Sequence, residues 1–295
     1  MAPKGFVIGG QSHAAPALAP GLYLVATPVG NLGDISIRAL QTLAGADLVL
    51  CEDTRASAVL LAHYGISTPR RAFHQHNEAA AAAAVLDAVA GGSPVALISD
   101  AGTPLLSDPG FPLVRAARER GVAVFAVPGA SALLAAIGSA GLPADRFSFL
   151  GFLPVRSAAR RKTLELLADR PETLVFYESP RRLGPALADM ASVFGGAREA
   201  AVARELTKKF ETVYRGTLGE LAALFAGEAV RGEVVVLVGG APAEAADLQA
   251  WKAALSAALA SQPLKSAVDD IAAAFAVSRR EVYQAALAIR DAGDG

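Results

Sequence analysis

A chain of 295 residues that is 53% apolar and carries a net charge of −1 can bury a sizeable core and is long enough for two domains with a small appendage. The near-zero charge excludes a protein that coats RNA or DNA with its whole surface, and no apolar run is long enough to cross a bilayer, so neither a DNA nor a membrane partner is expected. Cys51 is the only cysteine, which rules out an intramolecular disulfide and fits a cytoplasmic location.

Residues 1–20 lack the continuous apolar block of a secretory signal and read as a mobile tail. From residue 21 to 141 apolar runs alternate with helical patterns. Leu22 to Ala26, Leu48 to Cys51, Val95 to Ile98 and Val122 to Val127 are predicted strands, with helices near Ser36 to Leu43, Thr54 to His63, Asn77 to Ala90, Phe111 to Arg120 and Ser131 to Ser139. This repetition predicts an α/β domain with a largely parallel sheet. Asn77 and Ser131 suit helix N-caps, and Pro112 suits a first helical turn.

The Gly141-Leu142-Pro143 break opens a second α/β domain, residues 142–240. Its predicted strands lie near Phe147 to Leu150, Leu174 to Tyr177, Ala200 to Arg204, Thr212 to Arg215 and Val234 to Val238, with the third and fourth able to pair antiparallel. Helices near Ala158 to Ala168, Arg182 to Val193 and Leu218 to Leu224 separate most of them. Residues 245–292 are Ala-rich and helical, broken around Val277-Ser278, a spacing that permits a helix-turn-helix shape. A helical cap, a dimerisation segment and an RNA contact are all open readings of that segment.

Neither GxxxxGK(S/T) nor a GxGxxG between a strand and a helix is present, which disfavours ATP hydrolysis and ordinary dehydrogenation. The chain has instead a series of small or polar loops that follow strands, where open α/β sheets place their ligands. Foremost is Ser99 to Gly110, stiffened by proline and opened to close backbone approach by glycine. The loop Thr27 to Asp34 carries two glycines. Glu52 and Asp53 precede a helix and suit either capping or Mg²⁺ ligation. His74 and His76 have metal-like spacing but lack a nearby third ligand, so no metal site is expected. Val127 to Ala132 offers small residues against which a flat ring can pack. In the second domain, Phe176 to Arg182 and Ala203 to Glu211 set acids, bases and aromatics beyond apolar strands. Their recurrence points to a cleft between the two domains.

The runs LYLVATPVGNLGD, CEDTR, LISDAGTPLLSDPG, VPGASA, GFLP, FYESPRR, ARELTKKFE and GEVVVLV occur in that order. Together they resemble the tetrapyrrole methylase superfamily and, within it, the methyltransferases of small-subunit ribosomal RNA. The likeness covers about residues 21 to 240, and Leu264 to Ala288 resembles the C-terminal helical segment of those proteins. The resemblance implies an enzyme dependent on S-adenosyl-L-methionine that methylates the 2′-hydroxyl of a decoding-region cytidine in 16S rRNA of the small ribosomal subunit, commonly as a homodimer.

By the same resemblance, cofactor contacts fall on Pro28, Asp100, Ala101, Thr103, Leu106, Ser131, Ala132, Tyr177, Arg204 and Gly232. On chemical grounds, NH groups near Gly102 and Thr103 suit the methionine carboxylate, and Leu106 and Ala132 suit adenine. A ribose hydroxyl needs a base or a nearby cation, for which Glu178, Glu205 and Lys208 are the candidates, a plain salt bridge among them being the other reading. Arg160, Arg161, Arg181 and Arg182 suit RNA phosphates. The competing functions are carbon methylation of a tetrapyrrole, disfavoured because the first loop is PVGNLGD and not a GxGxGD-like run, and a non-catalytic ribosome-assembly factor.

Overall fold

The computed structural model describes residues 4–74, 77–227, 230–241, 248–275 and 277–293. In chain order the strands are β1 Gly5–Ile8, β2 Gln11–Ala14, β3 Gly21–Val25, β4 Leu48–Cys51, β5 Arg70–Ala72, β6 Pro94–Ile98, β7 Val124–Val127, β8 Phe147–Phe152, β9 Thr173–Glu178, β10 Glu199–Arg204, β11 Thr212–Thr217 and β12 Val234–Val238. The helices are α1 Ile37–Gly45, α2 Thr54–His63, α3 Glu78–Ala90, α4 Phe111–Glu119, α5 Ala132–Ala140, α6 Ser157–Glu165, α7 Leu183–Phe194, α8 Leu218–Leu224, α9 Leu248–Leu259, α10 Leu264–Ala274 and α11 Arg279–Gly293.

The mobile tail expected over residues 1–20 is corrected by β1 and β2, which pair antiparallel from Gly5↔Ala14 to Ile8↔Gln11. Gly9 and Gly10 both take positive φ at the turn, as a tight two-residue hairpin requires. Phe6 is buried against Tyr64 and Ile66 in the adjoining core, which ties the hairpin to the body.

The first half of the body is a five-stranded sheet in the order β5-β4-β6-β3-β7, parallel throughout. Strand residues alternate between two cores because successive side chains point to opposite faces. Tyr23, Val25, Val49, Cys51, Ala96 and Ile98 pack with α1 and α2 on one face. Leu22, Leu50, Val95 and Leu97 pack with α3 and α4 on the other. Ser131 caps α5 by accepting from Leu134 N–H at 3.4 Å, and Asp53 caps α2 through Arg55 N–H at 2.7 Å. Asn77 makes no cap bond at α3; its Oδ1 accepts from His74 N–H at 2.9 Å and its Nδ2 donates to Ala72 O at 3.0 Å. The turn before α3 has claimed the side chain.

The second half has the order β11-β10-β12-β9-β8. Here β8 and β9 are parallel and the other pairs antiparallel, so this α/β sheet is mixed. Leu174, Phe176, Val202, Val234 and Val236 face a core with α6, α7 and α8. On the opposite face, Val175, Ala201, Ala203, Val235 and Leu237 pack against Leu133, Ala136 and Ala140 of α5. That contact seats the last helix of the first half on the second sheet, and the two halves together form one compact unit.

The remaining helices, α9 to α11, belong to a separate compact unit. Trp251, Leu255, Val268, Ile271, Val282 and Ala286 form its core. Among the described residues no helix is long and apolar enough to cross a membrane.

Candidate active site in the cleft between the two sheets

Strands β3 and β6 are neighbours in the first sheet, and the loops at their carboxyl ends are clasped together. Thr27 N–H donates to Gly102 O at 2.8 Å and Gly102 N–H donates to Thr27 O at 3.0 Å. Ser99 Oγ donates to Gly102 O at 3.1 Å, and Thr27 Oγ1 donates to Ser99 O at 3.1 Å. The N–H of Gly102 is therefore taken by Thr27, which corrects its expected role toward a ligand carboxylate. Leu105 and Ser107 adopt left-handed backbone conformations (φ 75° and 69°), a strain that non-glycine residues keep only where the surroundings impose it. Gly110 closes the loop at φ 117°, where a Cβ would collide with Leu97 and Leu105, and its N–H donates to Glu78 Oε2 at 3.0 Å.

This loop forms one wall of a cavity of about 260 Å³. Ala101, Thr103, Leu106, Ser107 and Asp108 come from the loop, Val29 and Ala132 from elsewhere in the first half, and Phe152, Tyr177, Glu178, Glu233, Val234 and Val235 from the second. A second cavity of about 280 Å³ shares Val29, Ala101 and Glu233 with it and adds Pro28, Gly30, Asp100 and Lys208. The pair reaches the size of small-molecule sites, roughly 300–1,000 Å³.

Glu178 ends β9 almost completely buried. Its Oε1 accepts from Ser179 N–H at 2.7 Å and pairs with Arg182. Its Oε2, buried as well, has no hydrogen-bond partner among the described residues. A buried carboxylate oxygen without a donor is costly, and at a cavity wall it suits a ligand that brings one.

Lys208 bridges the halves. Its Nζ lies 2.8 Å from Glu205 Oε1 and 3.3 Å from Glu233 Oε2, and its stem covers Gly30 so closely that a Cβ there would sit 2.3 Å from Lys208 Cε. Burial works against the ammonium, yet Glu205 and Glu233 together hold its pKa above the usual lysine value. Hydrogen bonds from Lys208 and from Glu233 N–H hold Glu205 below the usual carboxylate range. Glu205 itself has φ 52°, and its side chain fills the space beside Gly232 (φ 89°) that any other residue would need.

Asp108 behaves differently. Burial, reinforced by the charges of Glu52 and Asp100 against a hydrogen bond from Ser99, pushes its carboxyl up to about 6. Burial also raises the Tyr177 phenol, whose ring packs on Phe149 and Phe152 at centroid distances of 4.8 and 5.7 Å. Sequence reading missed Asp108, Glu233 and Phe152. Only the spacing SDPG within an already conspicuous loop marked Asp108.

Of the residues picked out from sequence, Ala101, Thr103, Leu106, Ala132, Tyr177 and Glu178 meet at the first cavity, and Pro28, Asp100, Ala101 and Lys208 at the second. Ser131 is occupied as a helix cap. Arg204 Nε donates to Arg231 O at 2.8 Å. Glu205 and Gly232 stand behind Lys208 rather than on a wall.

The four arginines do not form one patch. Arg160 is 3% exposed; its guanidinium pairs with Asp189 and also donates to Val155 O and Pro185 O. Arg182 is held by Glu178, Ser179 Oγ and Leu153 O. Both are corrected from RNA ligands to internal struts: Arg160 is buried, and the half-buried Arg182 has its guanidinium engaged by Glu178, Ser179 and Leu153. Arg161 and Arg181 stay exposed. His76 lies outside the described residues, and among those described no group of three His, Cys, Asp or Glu could hold a metal.

These walls fit a ligand with a flat apolar ring and a polar, positively charged tail. Leu106, Ala132, Phe152, Val234 and Val235 supply apolar contact, while Asp108, Glu178 and Glu233 supply acceptors.

Residues 21–222 match the family described as Tetrapyrrole (Corrin/Porphyrin) Methylases, and the chain belongs to that family. The solved methyltransferase CobJ matches with a TM-score of 0.58 and 19% identity over 75% of this chain and 94% of that one. Uroporphyrin-III C-methyltransferase from Thermus thermophilus, solved with S-adenosylhomocysteine, matches with a TM-score of 0.53 and 20% identity over 74% and 97%. These likenesses concern the fold.

Among curated relatives, Ribosomal RNA small subunit methyltransferase I of Mesorhizobium japonicum is 47% identical over 98% of this chain and 100% of its own length. The protein of that name from Pseudomonas aeruginosa is 50% identical over 90% and 96%. Within the tetrapyrrole methylases, this chain groups with those ribosomal RNA methyltransferases.

Proposed function

We propose that this chain is an S-adenosyl-L-methionine-dependent methyltransferase of 16S rRNA that methylates the 2′-hydroxyl of a decoding-region cytidine in the small ribosomal subunit. The observation that carries the reading is the pair of adjoining cavities, in which a strained, glycine-bearing loop of the parallel sheet faces the buried Glu178, together with Glu233 and Lys208, of the mixed sheet. Near full-length identity to ribosomal RNA small subunit methyltransferases supports the substrate class.

When bound, S-adenosyl-L-methionine supplies a methyl group activated by a positively charged sulfur. Pro28, Asp100, Ala101, Thr103, Leu106, Ser131, Ala132, Tyr177, Arg204 and Gly232 are the proposed cofactor-binding set, with Ser131 and Gly232 acting through backbone shape. The acids of the wall favour a cationic ligand, and the free Oε2 of Glu178 awaits a donor. Lys208, held by Glu205 and Glu233, steadies negative charge that develops on the acceptor oxygen. Positioning of the two reactants supplies much of the rate. Arg161 and Arg181 contact RNA phosphates, which orient the substrate without reading its bases.

Ribosomal subunits as substrate set the place of action in the cytoplasm. A homodimer is part of the proposal, supported by the edge strand β8, which leaves Phe147 and Phe152 exposed with Val155 just beyond. The experiment is transfer from methyl-labelled S-adenosylmethionine to small subunits that lack the mark, followed by nucleoside analysis. Labelled 2′-O-methylcytidine is expected, whereas label on a base carbon, or only on an added tetrapyrrole, overturns the reading.

A further inference from the structure

We infer that the loop joining β10 to β11 is a contact for single-stranded RNA, with the Phe210 ring stacking on an unpaired base beside the acceptor nucleotide and Lys209 meeting its phosphate. The inference rests on the reading of the cleft as an RNA methyltransferase site and names an element of that site that positions the substrate.

The loop, residues 205–211, joins antiparallel strands whose register ends at Arg204↔Thr212. Its inner part is anchored. Glu205 N–H donates to Glu233 O at 2.9 Å, Leu206 is buried on the sheet face that α5 covers, and Lys208 lines the second cavity. Glu205 and Thr207 hold left-handed conformations (φ 52° and 64°). Thr207 N–H donates to Glu211 Oε2 at 2.6 Å, Lys208 N–H to Glu205 O at 3.0 Å and Glu211 N–H to Lys208 O at 3.1 Å. A loop fixed in this way has little freedom left to lose when it binds.

Its outer part is bare. Phe210 is 64% exposed, and the exposed Lys209 beside it holds its Nζ 5.6 Å from the centroid of the Phe210 ring. The acids nearby are occupied: Glu211 Oε2 by Thr207 N–H, Glu205 and Glu233 by Lys208. Consecutive Cα atoms are about 3.8 Å apart, so the ring stands next to the wall where Lys208 faces the acceptor oxygen.

A rigid exposed ring with a cation over one face is a stacking platform. Every base offers a π-face to such a ring, and RNA is recognised chiefly in unpaired segments whose bases splay out onto aromatic side chains. The ammonium over the ring strengthens the stack and lies where the phosphate of the same nucleotide passes. A protein partner fits this tip less well, because lysine is depleted from the centres of protein interfaces and the ring has no exposed apolar neighbour within its loop.

The test uses the full-length protein and small subunits that lack the mark, with the variants Phe210→Ala, Phe210→Leu, Phe210→Trp and Lys209→Gln. Phe210→Ala should raise KM for subunits by about 5- to 100-fold, while kcat at saturating subunits and S-adenosylmethionine binding stay within about twofold of wild type and the oligomeric state is unchanged. Phe210→Leu, apolar but without a flat face, should show the same deficit, and Phe210→Trp should restore the wild-type KM. Lys209→Gln should weaken subunit binding and lower its salt slope by about one. A wild-type KM in Phe210→Ala, full rescue by Phe210→Leu, or an unchanged salt slope in Lys209→Gln overturns the inference while leaving the methylation reading intact. A rise in KM that accompanies dissociation of a dimer overturns it too, by assigning the ring to a second copy of the chain. Wild-type protein that leaves subunit ribose unmethylated overturns the reading and the inference with it.

Discussion

The two halves of the body are built from the same materials and contribute opposite things to the cleft. The parallel sheet offers backbone. Its loops after β3 and β6 are clasped through Thr27 and Gly102 and hold Leu105 and Ser107 in left-handed conformations. The mixed sheet offers side chains: Glu178 at the end of β9, and Glu205, Lys208 and Glu233 around the end of β10 and the start of β12. Parallel strands send all their carboxyl ends to one edge, so small residues there make a shaped rim. Antiparallel neighbours bring the end of one strand beside the start of the next, which places residues 205 and 233 within one hydrogen bond. The parallel half thus sets the shape of the rim and adds the acids Asp100 and Asp108, whereas the mixed half holds the paired charges Glu178–Arg182 and Glu205–Lys208–Glu233.

Breaking the charged half where it is buried should have the largest effect. Arg160→Ala leaves the largely buried Asp189 with only Ser157 Oγ at 2.9 Å and Arg161 at 3.7 Å and should cost about 3 kcal/mol of stability, read by denaturant unfolding; a cost near zero would mean that Arg160 is the surface ligand its sequence context suggested. Next is Gly30→Val, which puts a side chain where Lys208 now lies. It should reduce methyl transfer by about 10²-fold through displacement of the lysine, with S-adenosylmethionine affinity falling less than the rate.

A smaller effect should appear in stability against pH. The Asp108 carboxyl is raised in the folded state, so folding takes up protons between the unfolded value and about 6 and stability falls as pH rises through that window. Asp108→Asn removes the penalty. With allowance for partial exposure, it should stabilise the protein by about 1–2 kcal/mol above pH 7, a rise of roughly 2–6 °C in Tm, and by nothing near pH 4. Smallest should be Arg181→Ala, which leaves stability unchanged and weakens subunit binding by about tenfold or less, with the salt slope reduced by about one.

The contrast between the halves also explains what could be read in advance. Val95 to Ile98 and Val234 to Val238 announce themselves as unbroken apolar runs because central strands are covered on both faces, and the loops beyond them were recognisable from glycine and proline. The hairpin at Gly5–Ala14 escaped because β2 is exposed along its length, although Gly9-Gly10 is a fitting turn. Strand β5 has three residues, two of them arginine, and owes its place to pairing with β4 rather than to its own composition. Arg160 sits in a basic run on a polar helix; nothing local reveals that Asp189 waits 29 residues on. Asp108 is an ordinary acid until the parallel sheet sets Glu52 and Asp100 beside it, and Glu233 is one until the start of β12 meets Glu205 and Lys208. Local patterns record which residues are buried in strands, whereas charges acquire their roles from neighbours distant in sequence.

The most direct measurement is a pair of titrations with single turnovers on Gly102→Val and Lys208→Met. If the first half shapes the cofactor site, Gly102→Val, at φ 82° and against Val29, should weaken S-adenosylmethionine binding by about tenfold or more. Lys208→Met should bind the cofactor nearly as wild type does yet slow transfer by about 10²-fold. Equal losses of binding in both variants, or a Lys208→Met enzyme that transfers at the wild-type rate, would contradict the division of labour between the two sheets.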